Sequence, residues 1–497
     1  MKKCSSIKKM AMGLCCAVLV VGTLSGCNGT KTNENTSSEN TSSAGNESSS
    51  ESTTEKESKK ADATGKEVVI TVGDFFANPD KDPERYAKQM EIKKSFEESH
   101  PGVIVEDAKW GFDVQSFMAK AEGNTLPTTY YVPLTETRNI MELGYAADLT
   151  KEYKERGLYE NTTDFILENI SKDGKIYFLP SELNDMGLFV NLDLYAQAGY
   201  VEEDGTPYQP KTWEEMAEIA VKIKEKTGKT GFIFPTTNNY GGWRFMPIAW
   251  SYGVVFEKEQ DGKWVAAFDS PEAVKALSFI KDLKWKYDVL PNNTLVDGNE
   301  VITQMSTEQC AMTISESSQA NYMVRSGLSP EKVGMLQLPA GPAKHISLVS
   351  GGLRIVDRNA TPEQIKAACD WWEYNGVSCN LTDEIKANLL KKVETDKSSN
   401  SAVIGLENPS PWKSNSPLVE YRKKLYEEYG NVNLNHIKLY NKKDLQLQTE
   451  EPIDAQALYA VLDSCIQEVL TNPNADPETL LKNAASDFQK NNLDYAK

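Results

Sequence analysis

The apolar positions of the chain change period repeatedly after residue 66. Val68-Val69-Ile70-Thr71-Val72 is a short apolar run that reads as a buried strand. Asp82-Pro83-Glu84 couples an N-cap acid to a proline at the first helical position and predicts a helix to about Ser99. Val103-Ile104-Val105 predicts a second strand, Val114 to Ala121 a second helix, and Thr129-Tyr130-Tyr131-Val132 a third strand. This alternation predicts right-handed βαβ units and a mostly parallel sheet. Ligands of such sheets collect at the carboxyl ends of the strands, where the loops beginning at Asp74, Trp110 and Pro133 would gather.

The same grammar continues to the C-terminus. Thr212-Trp213-Glu214-Glu215 reads as a capping box, followed by an inward stripe of Met216, Ile219, Ala220 and Ile223. Ser270-Pro271-Glu272, Thr361-Pro362-Glu363-Gln364 and Asp476-Pro477-Glu478 open three further helices. Strand-like runs lie between them at 231–234, 310–314 and 353–356. No internal repeat is visible.

The first 65 residues follow a different rule. Lys2, Lys3, Lys8 and Lys9 precede an apolar run from Met10 to Leu24, too short for a stable membrane span. The run ends in Leu24-Ser25-Gly26-Cys27, which resembles the lipobox of bacterial lipoproteins. That resemblance makes residues 1–26 a signal peptide and Cys27 the acylated mature N-terminus; an ordinary secretory signal is the alternative. Residues 28–65 are almost all Ser, Thr, Asn, Glu, Gly and Lys, with too little apolar surface to offset the entropy of ordering. Together with Cys27 they form a tether, 27–65, expected to hold a folded unit off a membrane.

Charge and cysteines narrow the function classes. The 72 acids against 54 bases of this 497-residue chain give −18, and the folded part from residue 66 keeps about −19 of it. An acidic surface argues against a sequence-independent grip on nucleic acid, which needs clustered cations. Only three histidines occur, and Cys310, Cys369, Cys379 and Cys465 lack the spacing of a zinc site, so no metal and no cofactor is expected. Cys310 and Cys465 read as small core residues, while a Cys369–Cys379 disulfide stays open for an exported protein. Gly228-Lys229-Thr230 lacks the upstream glycine of a phosphate-binding loop, and no HExxH, GxSxG or dinucleotide fingerprint is present. No pair of carboxylates is singled out for glycoside hydrolysis.

Taken together, 177–180, 187–195 with Ala198-Gly199, 210–215, the helix from Ser270, 311–314 and 338–342 resemble the family 1 extracellular solute-binding proteins. These are lipid-anchored receptors of ABC importers for sugars. The resemblance covers nearly all of residues 66–497. It implies an α/β fold of the type II periplasmic-binding-protein kind: two lobes, each a mostly parallel sheet flanked by helices, with ligand in the cleft between them. Lobe one would be 66–180 plus 350–395, and lobe two 181–349 plus 396–497. The chain would cross between them near Pro180 and Ser350-Gly351-Gly352.

The resemblance also implies where ligand contacts fall. In lobe one these are Asp74 and Phe75 after the first strand, and Thr135 and Glu136 after the third. Val132 replaces the family's stacking aromatic; Trp110 is either its substitute or a core residue. At the crossings the candidates are Glu182, Asn184, Asp185 and Gly351. In lobe two, the polar loop Asn238-Asn239-Tyr240-Gly241-Gly242-Trp243 supplies Asn239, Tyr240 and Trp243, the last at a family stacking position. Glu316 and Ser318 follow the 310–314 strand; Ser318 replaces a family tryptophan, which implies a smaller or more polar ligand than a long oligosaccharide. Trp250, Trp371 and Trp372 are assigned to the core.

The expected protein is thus a monomeric, extracytoplasmic receptor, lipid-anchored to the bacterial cell membrane and not an enzyme. It would bind a sugar or oligosaccharide and hand it to ABC permease subunits. A glycan-active enzyme or a surface glycan-docking protein without a transporter is the alternative.

Overall fold

Each strand start expected in the first third of the chain is observed. The computed structural model describes residues 67–80 and 82–495, so the signal, Cys27 and the tether lie outside the described residues. Strands Val68–Val72, Val103–Asp107 and Thr129–Pro133 run parallel, with the first in the middle. Asp82 caps the helix Pro83–Ser99 by accepting the Arg85 N–H at 3.1 Å. Trp213–Thr227 starts at Thr212, whose side chain accepts the Glu215 N–H. The reciprocal half of that expected box is shifted by one residue: Glu215 takes the Lys211 N–H at 2.5 Å. Both halves form at Thr361 and Gln364, where Pro362–Tyr374 begins.

Two long strands organise the whole. Phe178–Asn191 and Ile346–Val356 lie antiparallel beside one another. The second also pairs antiparallel with Thr129–Pro133, while the first pairs antiparallel with Met312–Glu316 and Val333–Leu336. The sheet is therefore mixed: parallel where βαβ units build it, antiparallel around the two long strands. The apolar run 231–234 stays extended without forming a ladder; Thr230 alone bridges Cys310.

Each long strand serves two cores. Phe178, Leu179 and Leu183 belong to one, with Ile70, Val105, Tyr130, Leu353, Trp371 and Trp372. Met186, Leu188 and Val190 belong to the other, with Trp213, Phe245, Trp250, Ile280 and Leu462. Ile346 and Leu348 lie in the second core, Val349 and Leu353 in the first. The molecule is two-lobed, and the polypeptide passes from lobe to lobe inside continuous strands. It passes again between residues 403 and 413: Val403 and Leu406 pack with the Met335 side of the second lobe, whereas Trp412 and Leu418 pack in the first core.

All four described cysteines are free and buried. The open Cys369–Cys379 pairing is not made; both thiols sit in the first core. Among the described residues no helix is long and apolar enough to cross a membrane, and no His, Cys, Asp and Glu group is arranged to hold a metal ion.

Candidate functional site

On the first lobe, the loop after Val72 turns through Asp74, whose φ of 55° is left-handed. Its carboxylate accepts the Phe112 N–H at 2.6 Å, an approach that only glycine at 111 allows: a Cβ there would fall 1.9 Å from Asp74 Oδ1. Burial raises the Asp74 carboxyl above its ordinary range, against the Phe112 N–H and the Arg354 guanidinium. Arg354 projects from the second long strand opposite Tyr131 and lies over the Tyr131 and Trp372 rings, 5.2 and 4.3 Å from their centroids. A Cβ on Gly352 would meet the Tyr131 ring at 2.2 Å, so this glycine lets the ring lie across the strand. Glu182, exposed and paired in register with Gly352, adds its charge to Arg354 and Tyr131. Burial raises the Glu136 carboxyl, and Asp454 pushes it further, against a hydrogen bond from Thr135.

On the second lobe, the site is built on the helix Tyr240–Tyr252. Asn239 enters it with φ 68°, and Asp463 receives the Asn239 N–H at 2.8 Å and the Gly242 N–H at 2.6 Å. A carboxylate thus satisfies the open N–H groups at the positive end of the helix dipole. The first turn presents Tyr240, Trp243 and Arg244, with the guanidinium 5.3 and 5.8 Å from the two ring centroids. Arg244 is only 2% exposed, and its Nε and Nη1 have no partner. Glu316, at the end of its strand, brings its Oε2 to 3.8 Å from Arg244 Nη2, an ion pair too long to be a hydrogen bond, and that oxygen has no hydrogen-bond partner. Burial raises the Glu316 carboxyl and lowers the Arg244 guanidinium, each opposing the other's shift. Glu450 accepts the Tyr459 hydroxyl at 2.8 Å and is pushed up to about 7, first by burial and then by Glu316 and Glu136. The Trp243 indole N–H is buried beside Glu450 without a well-aligned bond to it.

Glu450 joins the two halves electrostatically: it acts on Glu136 and Tyr131 of the first lobe and on Glu316 of the second. These interactions group Asp74, Thr135, Glu136 and Glu182 with Tyr131 and Arg354 on the first lobe, and Tyr240, Trp243 and Glu316 with Arg244 and Glu450 on the second. Several expected residues do other work. Phe75 packs edge-on against Trp371 at 4.9 Å, inside an aromatic cluster of the first core. Trp110 follows its core alternative, edge-on to Tyr130 at 5.3 Å with its N–H given to Ser116 at 3.2 Å. Asp185 is 1% exposed and closed off by Lys443, at 2.9 Å through both oxygens, and by the Tyr440 hydroxyl. Asn184 accepts from Asn408 at 3.2 Å, Asn239 gives its amide to Gln456 at 3.2 Å, and Ser318 lies half-buried in a helix first turn. Gly351 pairs with Leu183 within the sheet, where a Cβ on it would fall 2.6 Å from the Glu182 carbonyl oxygen.

A family model described as bacterial extracellular solute-binding protein matches residues 91–375, more than half of the chain. The chain belongs to that family. Among curated relatives, this solute-binding protein is 24% identical over 259 residues to a putative binding protein of Brucella abortus, covering 51% of this chain and 59% of that one. It is 26% identical over 176 residues to the sn-glycerol-3-phosphate-binding periplasmic protein UgpB of Escherichia coli, covering 33% and 37%. The match thus spans less than two thirds of these relatives' own length. Among solved structures, it resembles the GacH receptor of Streptomyces glaucescens, studied unliganded and with acarbose: TM-score 0.61, 19% identity, 87% of this chain and 100% of that one. UgpB of Mycobacterium tuberculosis, in complex with glycerophosphocholine, gives 0.59, 14%, 86% and 98%. These likenesses show the two-lobed fold. The family's extracellular setting places this solute-binding protein outside the cytoplasm, and its relatives are binding proteins.

Four central groups of this solute-binding protein escape a local reading of the sequence: Tyr131, Arg354, Arg244 and Glu450. Two left a trace. Arg354 interrupts the apolar run Leu353-Arg354-Ile355-Val356, and Arg244 is the one charge in an otherwise apolar or neutral 13-residue helix. A charge in such a setting points at a partner or a ligand.

Proposed function

We propose that the protein is a lipid-anchored receptor that captures a carbohydrate between its lobes and delivers it to an ABC import permease, without chemical turnover. The observation that carries this reading is the set of buried polar atoms without a hydrogen bond, Arg244 Nε and Nη1 and the Glu316 Oε2 that faces Arg244 at 3.8 Å, beside the Trp243 and Tyr240 rings. Buried donors and acceptors are normally satisfied, and a sugar brings hydroxyls that donate and accept together with a face that stacks on an aromatic ring. The relevant contacts are Asp74, Thr135, Glu136, Glu182, Tyr240, Trp243 and Glu316 from the sequence reading, joined by Tyr131, Arg244, Arg354 and Glu450. The lobes in this reading are 66–180 with 350–395 and 181–349 with 396–497; the two cores support that division apart from Leu183, Val349, Trp412 and Leu418, which pack in the first core.

Binding raises apparent stability by mass action, so a thermal-shift screen of sugars on the full chain is the direct test. One sugar class should raise the melting temperature and change tryptophan fluorescence, and Trp243→Ala should abolish both. A glycan panel that moves neither would end the carbohydrate reading. The UgpB likeness and the free guanidinium N–H groups favour a glycerophosphodiester as the second reading. Glycerol-3-phosphate and glycerophosphocholine therefore belong in the same screen. Release of a cleaved product from any bound glycan would instead favour the enzyme alternative.

A further inference from the structure

Among the described residues the polypeptide crosses between the lobes three times: in strand Phe178–Asn191, in strand Ile346–Val356 and between residues 403 and 413. One stretch of the second lobe, residues 440–448, touches all three. In the first crossing, Lys443 Nζ lies 2.9 Å from both Asp185 oxygens, and the Tyr440 hydroxyl donates to the same carboxylate. In the second, Ile346, Ser347 and Leu348 pair in parallel with Gln446, Leu447 and Gln448. In the third, Asn441 accepts the Glu407 N–H at 3.1 Å and gives its amide to the Gly405 carbonyl at 2.9 Å. The crossings are also laced to one another. Asp185 pairs with Val349, Ser347 donates to the Met186 carbonyl at 2.6 Å, and Asn408 donates to Asn184 at 3.2 Å.

The stretch is itself fixed to the second lobe. Tyr440, 1% exposed, packs with Phe189, Met335 and Ile437, and Gln337 donates to Asp444 at 2.5 Å. Lys443 holds a left-handed backbone, φ 50°, which a non-glycine residue keeps when its surroundings impose it. Towards the first lobe the ladder is weaker. The pairing of the two long strands slips between Gly352 and Leu353, which leaves Ser181 unpaired as a bulge. We propose that residues 440–448 are a clasp that ties all three crossings to the second lobe through Asp185, the 346–348 ladder and Asn441. The lobes then bend on the first-lobe side of the clasp, at 181–184, 350–352 and 409–411. Crossings ordered in advance spare the binding event the entropy of ordering them. The clasp makes no contact with solute, so it stands apart from the carbohydrate reading.

Hydrogen–deuterium exchange on the full chain without solute tests this. Asp185→Asn alone would strand the Lys443 charge and endanger folding. Two gentler variants avoid that. Tyr440→Phe keeps the ring and removes one hydroxyl; Asp185→Leu with Lys443→Met replaces the buried pair by apolar groups, a change that leaves folding intact. In both, amides at 346–352 and 403–411, which neither variant alters, should exchange at least about fivefold faster, the scale of one lost hydrogen bond in a local opening. The first-lobe strands Val68–Val72 and Thr129–Pro133 should exchange as in the wild type. If the double variant does not fold, Tyr440→Phe decides. Faster exchange confined to the neighbourhood of 185 and 440–443 makes the cluster a local packing pair and overturns the clasp. A uniform rise that includes the two first-lobe strands, or no rise at all, overturns it equally.

Discussion

Glu257 shows what one buried carboxyl does to the molecule. It is 6% exposed, one oxygen takes the Ile453 N–H at 3.1 Å, and the other has no partner. Burial, with Glu451 nearby, pushes it up to about 8, and burial also lifts Glu451 to about 7 although Trp250 donates to it at 3.0 Å. A carboxyl whose folded pKa is raised favours the folded state while protonated. Its contribution is full below the unfolded value near 4.5 and is lost as pH rises towards about 8. Stability should therefore fall across that window. Glu257→Gln keeps the shape, removes the charge and should stabilise the protein at pH 8 by about 1–3 kcal/mol, at 1.36 kcal/mol per pKa unit. Denaturant unfolding at several pH values reads this, and a wild-type profile flat between pH 5 and 8 would refute it.

The contact of the helices Tyr240–Tyr252 and Ala455–Thr471 decides where the second-lobe site residues stand. Gly242 lies so close to the second helix that a Cβ would fall 2.3 Å from the Tyr459 carbonyl oxygen. Backbone cannot yield as a side chain tip can, so Gly242→Ala should cost about 2–3 kcal/mol, in the range of overpacked cores. Because Trp243 and Arg244 follow directly, the variant should also lose ligand affinity beyond its loss of stability. Equilibrium unfolding and calorimetry separate the two, and a stability change under about 0.5 kcal/mol, the scale of neutral surface substitutions, would contradict this packing. At this scale the sequence was most readable. N-caps, proline at the first helical position and apolar runs are local signals, and Asp82, Thr212, Ser270, Thr361 and Asp476 all cap as expected. Tyr131, Glu182 and Arg354 are brought together by strand register across more than 200 residues. Glu450 is brought to Glu316 by a fold-wide return of the chain. No local period encodes such meetings, so the cleft was legible as a place and only partly as a list of residues. Asp185 illustrates the reverse error: its position suited a ligand, but Lys443, arriving from 258 residues away, takes its oxygens.

At the scale of the molecule, the lobes touch away from the cleft as well. Arg138, on the helix Thr137–Leu143 of the first lobe, lies 4.9 Å from the centroid of Trp264, on the strand Lys263–Ala266 of the second. Glu259, on the partner strand of that hairpin, is 3.9 Å from the same guanidinium. Both charged side chains are about half exposed, so the ion pair alone contributes little. The stacked guanidinium is the stronger part, about 0.5–1 kcal/mol at an exposed site. Because this contact spans the two lobes and touches none of the cleft groups, it stabilises whichever arrangement brings the lobes together. Apparent affinity scales with the population of that arrangement. Arg138→Ala should therefore weaken ligand binding by roughly two- to fivefold, the equivalent of 0.5–1 kcal/mol, with the change in the dissociation rate. Arg138→Lys retains the charge but not the planar stack and should recover only part of it. Stopped-flow tryptophan fluorescence measures the rate, and an unchanged dissociation rate in Arg138→Ala would mean that the hairpin contact has no part in closure.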